Sequence, residues 1–542
     1  MEKDHLEEDR AEEGRQAGRD DTPIVPDRRN EGSPPMTDPL AALDRGLLDG
    51  PPADVIDGTF RPLPTGTGIR SCDPADPSRV IWSGDPMPDH VDDAVAAARA
   101  AQPAWFGLGA DARAAALGRW KAAAEARRDR LAELITLETG KIRSEAQAEA
   151  GLVASKVDIT LGPNSSGRIA GYDVPAGPSK VGRCAFKPHG VMAVLGPFNF
   201  PAHLPNGHLV PALLAGNTVV LKPSDKTPAV GQALAEIAAA AELPPGVVNV
   251  VQGAAGPAAA LASHDGVDGV LFTGSWPVGR RILEANLDTP GRIVALELGG
   301  SNPTVVMPDA DLRQAVVECV RAAFATTGQR CTCTRRIVLH KDIADRFIPA
   351  FCKVASTLVV GPGDSSDPVF MGPMISAAAV DAVMAFQDEL HARGGKVLVQ
   401  ASRVDRPGHF VSAGVVLVDR FEVEHDRECF GPLVQIAIAD DLDDCIAQAN
   451  ATRYGLAAAI FTKDDAVWER FLAECRSGCI NRNTGTAGAS GQLPFGGLGR
   501  SGNHRPAGAF SVEYCAYPVA SMVESGTTTP VPPGMLLEDD WL

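Results

Sequence analysis

Between Gly190 and Glu297 four strand-like runs, Val191 to Leu195, Thr218 to Lys222, Val247 to Val251 and Val270 to Thr273, are separated by segments of helix length. That alternation constrains the chain more than any other feature, because strand and helix in regular succession predict an α/β fold built on a mostly parallel sheet. After Phe272-Thr273 comes Gly274-Ser275-Trp276-Pro277-Val278-Gly279, a glycine turn opening into a helix whose free N–H groups suit a pyrophosphate. It is not a G-x-G-x-x-G, and taken alone it reads more readily as a plain strand-to-helix turn.

Upstream, short strand-like pieces from about Asp57 give way to alanine-rich stretches, Val91 to Ala101 and Ala112 to Thr139, whose apolar residues recur at three and four and predict helices. Arg168 to Lys187 alternates and turns on Gly and Pro, which predicts a β-hairpin projecting from the body. A second α/β run extends from Pro303 to about Arg500, with strands such as Thr304 to Met307 and Ile337 to His340. The first 50 residues have a local net charge of −7, with Pro and Gly clusters and almost no aromatics; an acidic disordered tail is expected over residues 1–52. A translation start at Met36 accounts for the upstream piece equally well.

The 542 residues have room for two or three domains, and 44% hydrophobic with 22% charged residues is ordinary for a globular protein. A net charge of −18 argues against nucleic acid, whose recognition needs a basic stripe, and points to a small-molecule partner. Eleven cysteines, an odd number scattered through a long chain, imply reduced thiols and a cytoplasmic location. Neither Cys475-x3-Cys479 nor Cys331-x-Cys333 has the spacing of a zinc site, so no metal is expected. No apolar run approaches the roughly 18 residues of a membrane span, and charges stand where a signal peptide has its apolar region.

Chemistry concentrates at Phe324 to Thr334, FATTGQRCTCT, which offers Cys331 inside a Gly/Thr-rich turn without metal-ligand partners. Alone, such a cysteine is more often a small buried hydrophobe. As a nucleophile it needs thiolate character, which Arg330, Arg335, Arg336 or a helix N-terminus is expected to promote. Glu297 on the LELGG turn and Asn199 in PFNFP complete a set of nucleophile, base and oxyanion donor, pointing to acyl transfer through a thioester.

Gly328-Gln329-Arg330-Cys331, Leu296-Glu297-Leu298-Gly299-Gly300 and Glu428-Cys429-Phe430-Gly431-Pro432 together resemble the NAD(P)-dependent aldehyde dehydrogenase superfamily, over roughly residues 55 to 525. Stretches beginning at His203, Gly328, Ser501 and Tyr514 resemble more narrowly its members that oxidise acidic N-acylated amino acid semialdehydes. The resemblance implies a Rossmann-type dinucleotide-binding domain over 53–167 and 190–296 and a catalytic domain over 297–500. It also implies a small β oligomerisation flap over 168–189 and 512–527, and a homo-oligomer. It assigns Cys331 as nucleophile, Asn199 with the Cys331 N–H as oxyanion donors, and Glu297 as the base that activates water. Cofactor positions are Lys222, Ser224 and Asp225 in LKPSD, Gly274, Ser275 and Gly279 in the glycine turn, and Glu428 and Phe430 in ECFGP. A carboxylate at Asp225 accepts from a ribose 2′-hydroxyl and repels a 2′-phosphate, which favours NAD.

Two departures stand out. His208 stands where many members have a lysine, and Pro506 follows Arg505 where many have a glutamate, so a pair that assists proton traffic elsewhere is absent and His208 is either its partial substitute or structural. Gly207 and the small, polar Thr484 to Gln492 segment suit a hydrophilic aldehyde, with Arg330, His504 and Arg505 as candidate partners for substrate carboxylates or ordinary ion pairs. Glu297 speaks against a CoA-acylating enzyme, and the complete Cys331, Glu297 and Asn199 set speaks against a catalytically silent scaffold.

Overall fold

The computed structural model describes residues 47–527 and 529–542, so most of the expected acidic tail lies outside the described residues. The last six residues of that expected tail, 47–52, are docked and ordered by contacts. Leu47 and Leu48 pack on the main core, the Asp49 N–H donates to Glu236 Oε1 (2.9 Å), and the Asp49 carboxylate pairs with Arg130 (2.6 Å).

Two hairpins open the chain, β1 (Ala53–Ile56) with β2 (Thr59–Pro62), then β3 (Ile69–Asp73) with β4 (Asp76–Gly84). Helices α1 (His90–Gly107), α2 (Ala110–Ala126), α3 (Arg128–Thr139) and α4 (Arg143–Leu161) follow, with the single turn α5 (Pro163–Ser166). The alanine-rich stretch 112–139 is helical as expected and divides into two helices, because Arg127 leaves the helical region at φ −107°, ψ 7°. Trp82, Trp105 and Trp120 anchor this layer, each fully buried with its indole N–H satisfied by Gln232, Leu213 or Asn206. The alternating segment forms the expected hairpin, β5 (Tyr172–Pro175) and β6 (Lys180–Pro188).

The α/β repeat folds as its pattern requires: β7 (Val191–Leu195), α6 (His203–Ala215), β8 (Thr218–Lys222), α7 (Pro228–Ala240), β9 (Val248–Val250), α8 (Ala255–Ser263), β10 (Gly269–Thr273), α9 (Trp276–Ala285) and β11 (Ile293–Glu297). One seven-stranded sheet results, ordered β11-β10-β7-β8-β9-β1-β2, parallel except where β1 and β2 join antiparallel. Every residue of β7, β8 and β10 is buried, which is why these strands read as unbroken apolar runs. Thr273 and Glu297 lie side by side at the carboxyl ends of β10 and β11.

A second seven-stranded sheet holds β12 (Asn302–Val306), β13 (Thr334–His340), β14 (Lys396–Val399), β15 (Gly414–Leu417), β16 (Leu433–Ala439), β17 (Ala457–Phe461) and β18 (Cys479–Arg482). Its order is β14-β15-β16-β13-β12-β17-β18, parallel apart from the β14 edge. Its helices are α10 (Leu312–Phe324), α11 (Lys341–Ala355), α12 (Ala377–Ala392), α13 (Leu442–Ala449) and α14 (Asp465–Glu474). A short hairpin, β19 (Pro494–Phe495) with β20 (Ala507–Gly508), precedes β21 (Ala516–Glu524), which pairs antiparallel along the whole of β6. Among the described residues no helix is long and apolar enough to cross a membrane.

Glu138, near the end of α3, is buried and accepts from the N–H groups of Ala229 (3.1 Å) and Val230 (2.9 Å) in the first turn of α7. Burial outweighs those bonds and lifts its carboxyl from the ordinary 4.5 to about 7. The folded chain therefore holds a proton that the unfolded chain releases near pH 4.5, and this group's contribution to stability falls as pH rises from about 4.5 to about 7. Glu138→Gln is expected to flatten the pH dependence of unfolding in that window by up to about 1.4 kcal/mol per pH unit, read from denaturant melts. An unchanged slope would relocate the titration to another group.

Candidate active site

The backbone that delivers Cys331 is unusual. Beyond α10, Thr326 (φ 54°), Thr327 (φ 55°) and Gly328 (φ 71°) are left-handed in succession. For β-branched residues this conformation costs on the order of 1–3 kcal/mol each. Glu145 on α4 holds the turn by accepting from the Thr326 N–H (3.0 Å) and hydroxyl (3.1 Å), and the Thr327 hydroxyl donates to the Gly372 carbonyl (2.8 Å). At Gly328 a Cβ would collide with the Gly431 carbonyl, so only glycine fits. Asn302, the first residue of β12, then donates to the carbonyls of Cys331 (2.7 Å) and Cys333 (2.8 Å) while accepting from the Ala457 N–H (3.0 Å). The half-buried Cys331 lines a cavity; Cys333 is buried and turned toward the Ala325 carbonyl.

Glu297, the last residue of β11, is 4% exposed; the Ala507 N–H donates to its carboxyl, and its Oε2 has no hydrogen-bond partner among the described residues. Burial pushes its carboxyl well above the usual carboxylate range. The Cys331 thiol is pushed up to about 12, first by burial and then by Glu297 and Glu428, with Arg335 alone opposing. This corrects the expectation that Arg330 and Arg336 activate the thiol. Arg330 turns to Glu145 (2.8 Å) and the Thr326 hydroxyl (2.8 Å), and Arg336 spends its guanidinium on the carbonyls of Ser301, Gln448 and Ala449. Nor does a helix begin at Cys331, which stands between a left-handed turn and β13. Asn199 is buried, and its amide donates to the Gln329 carbonyl (3.0 Å), which ties it to the cysteine segment; a primary amide retains a second N–H.

The cavity has a volume of about 710 Å³ and begins at Cys331 and Asn199. Phe198 and Phe430, edge to face at 5.9 Å, also line it, with Glu428, whose carboxylate accepts from the Gly300 N–H (3.0 Å). Farther along lie Lys222, Ser224 and Asp225, then Gly274 and Ser275 at the N-terminus of α9. Lys222 donates to the Pro223 (2.6 Å) and Gly253 (2.8 Å) carbonyls, and burial lowers its ammonium to about 8. The remaining walls are one face of α8, Ala255, Ala258, Ala259 and Ala262, and one face of α9, Val278, Arg281, Ile282 and Ala285. A slot between small apolar side chains, continuous with a helix N-terminus and a carboxylate, fits a dinucleotide.

Not every expected residue reaches this cavity. Gly279 is set behind it, where a Cβ would come within 2.8 Å of Leu298 Cδ2, so it allows α9 to pack on the LELGG turn. His504 and Arg505 are exposed, and among the described residues Arg505 donates only to the His504 carbonyl (3.2 Å). They belong to the segment whose Ala507 N–H reaches Glu297. His208 is buried between the Tyr514 hydroxyl (2.9 Å) and the Thr273 hydroxyl (3.1 Å), and burial depresses its imidazole to about 3, so it is neutral. Sequence reasoning missed Glu145, Asn302 and Arg281. The alanine spacing on α8 was the available signal for the slot, whereas Glu145 meets its partners only across the fold.

Two parallel-rich sheets meeting at a cysteine-ended dinucleotide cavity define an aldehyde dehydrogenase, and the aldehyde dehydrogenase family profile matches residues 63–518: the chain belongs to that family. It is 44% identical over 479 residues to N-succinylglutamate 5-semialdehyde dehydrogenase 2 of Caulobacter vibrioides, covering 87% of this chain and 96% of that one. It is 43% identical over 450 residues to N-succinylglutamate 5-semialdehyde dehydrogenase of Burkholderia mallei, covering 82% and 91%. Among solved structures it superposes on an Escherichia coli NADP-dependent enzyme (TM-score 0.83, 32% identity, 89% of this chain and 99% of that one). It superposes likewise on an NAD-dependent aldehyde dehydrogenase of Sinorhizobium meliloti (TM-score 0.84, 28% identity, 90% and 97%). A nicotinamide dinucleotide is the family's cofactor.

Asn302→Ala removes the clamp on the Cys331 segment and leaves buried groups unpaired, at about 1–3 kcal/mol each. It is expected to lower stability by at least about 2 kcal/mol and kcat by roughly tenfold or more, with little change in the KM for cofactor. Wild-type kcat in a folded variant would remove Asn302 from the positioning of the nucleophile.

Proposed function

We propose that the protein oxidises N-succinyl-L-glutamate 5-semialdehyde to N-succinyl-L-glutamate through a thioester on Cys331, with NAD as acceptor. The observation that carries this reading is the placement of Cys331 at one end of a dinucleotide-sized cavity, with Asn199 beside it and the Glu297 carboxyl within electrostatic reach of the thiol. The two relatives bearing that activity in their names support the substrate.

In this reading Cys331 sulfur attacks the aldehyde carbon as its proton leaves, and the new oxyanion accepts from the Asn199 amide and the Cys331 N–H. A bound nicotinamide dinucleotide supplies the two-electron acceptor. Water then attacks the thioester carbonyl, its proton passing to Glu297 and the sulfur departing as thiolate. Glu297 is suited to this late role because burial raises the basicity of its carboxyl. Asp225 on the cavity wall supports NAD over NADP. The small, polar Thr484 to Gln492 segment, whose Thr486 hydroxyl donates to the Thr332 carbonyl (2.6 Å), and the exposed Arg505 and His504 support a carboxylated substrate. The sheet β5-β6-β21, which exposes Tyr172, Val174 and Met522, is read as the oligomerisation flap, and eleven free thiols support a cytoplasmic location.

Cys331→Ala is expected to abolish oxidation while NAD still binds; turnover above a few per cent would implicate another thiol. Glu297→Gln is expected to give one burst of NADH and then stall, and full steady-state activity in that variant would remove Glu297 from the mechanism. Because the basic form of Glu297 grows only as pH rises through its raised pKa, deacylation in the wild type should accelerate with pH above the usual carboxylate range, a limb that the variant lacks.

For substrate choice, losing one charged hydrogen bond costs about 1.5–3 kcal/mol, or roughly one to two orders of magnitude in kcat/KM. Arg505→Ala should lower kcat/KM by that much for the N-succinylglutamate semialdehyde and change little for propanal. Equal losses on both substrates, or none on either, would sink Arg505 as a carboxylate ligand.

A further inference from the structure

A second cavity, of about 480 Å³, shares no lining residue with the first and lies between Ser301, the C-terminal end of α12, the loop 418–427 and β16. Its wall carries polar groups with unmet capacity. Ser301 is 2% exposed and its hydroxyl has no partner among the described residues. Asp426 uses Oδ2 for the Thr452 hydroxyl (2.9 Å) and the Arg453 N–H (2.8 Å), while its buried Oδ1 has none. The Gln435 side chain, also on this wall, makes no hydrogen bond among the described residues. Buried polar atoms of this kind normally find partners, and two on one cavity wall, Ser301 Oγ and Asp426 Oδ1, are a feature that asks for a ligand. Arg336, deep in the same wall, commits each of its three nitrogens to a carbonyl, which occupies three of its five N–H groups.

The mouth has the opposite character. Arg393 and Arg427 share one carboxylate, Glu389, at 3.6 and 2.6 Å, which leaves guanidinium capacity facing the cavity. Val418 and Phe421 add apolar surface between the two ends. The lining also holds Asp419, Arg420 and Glu422; the two unpartnered acceptors, Ser301 Oγ and Asp426 Oδ1, and the Arg393 and Arg427 guanidinium groups call for a ligand with donor hydrogens at one end and an anion at the other.

We propose that this cavity binds a free α-amino acid as the zwitterion, its ammonium on Asp426 Oδ1 and Ser301 Oγ and its carboxylate toward Arg393, and that occupancy alters cofactor affinity. The coupling route is short. Ser301 adjoins Gly300 and Asp426 precedes Glu428 by two residues, so a ligand on that pair grips both flanks of the Gly300 to Glu428 hydrogen bond (3.0 Å) that borders the dinucleotide cavity. This goes beyond the proposed oxidation and does not depend on the substrate assigned to it.

The test uses the full chain, by calorimetric titration and thermal melting with and without NAD. The probes are L-leucine, L-glutamine and L-phenylalanine, against 4-methylpentanoate and 3-methylbutylamine, which each retain one charge of leucine. At least one zwitterion is expected to bind and to change the Kd for NAD by about fivefold or more, while neither single-charge analogue does either. Asp426→Asn, which can keep the Thr452 and Arg453 contacts but presents a donor to the cavity, should abolish both effects with basal turnover unchanged. Ser301→Ala should weaken them and serves if the first variant fails to fold. Binding by no zwitterion, equal binding of 4-methylpentanoate, or effects that survive both substitutions would overturn the proposal.

Discussion

Glu145 accepting from the Thr326 backbone and hydroxyl is the interaction on which the site depends. A turn with two left-handed threonines persists only if its surroundings over-determine it, and a carboxylate 181 positions earlier in the chain supplies two of the bonds that do so. The same carboxylate pairs with Arg330 and thereby withdraws the guanidinium adjoining Cys331 from the nucleophile. One side chain on a helix of the first half thus sets both the direction in which the cysteine segment emerges and the charge that surrounds it. Asn302 secures the other end of the segment from the second sheet, so Cys331 hangs between elements that pack separately.

Electrostatics follows from burial more than from neighbours. Cys331 and Glu297 are both driven toward their protonated forms, and each would make ionisation of the other harder. Chemistry in which the sulfur gives up its proton first and the carboxyl accepts one only afterwards suits such a pair, because the two negative charges need never coexist. The glycine turn and α9 play a different part: Gly274 and Ser275 face the cavity, while Gly279 works from behind by letting the helix close on Leu298.

Much of this was legible in the sequence. The parallel strands β7, β8 and β10 are buried throughout, so their composition alone marks them, and the motifs around Cys331, Glu297 and Glu428 mark the family in a few contiguous residues. What was not legible is whatever depends on distant pairing. Arg330 reads as a free cation until Glu145 is brought to it; Asn302 reads as a turn residue until β12 lies against the cysteine segment. The break at Arg127 has no Gly or Pro to announce it, and residues 47–52 look like tail because their partners, Arg130 and Glu236, come from two later helices. The docking of residues 47–52 is therefore set by tertiary contacts that composition does not encode.

Keeping Cys331 as a thiol bears on how the protein survives between turnovers. Peroxides and disulfides react with thiolates, and oxidation beyond the sulfenic acid is seldom reversed. A cysteine whose proton is retained by burial and by adjacent carboxyl groups is a poor target for such oxidants at rest, even though it lines an open cavity. The environment that slows ionisation also shelters the sulfur from such oxidants.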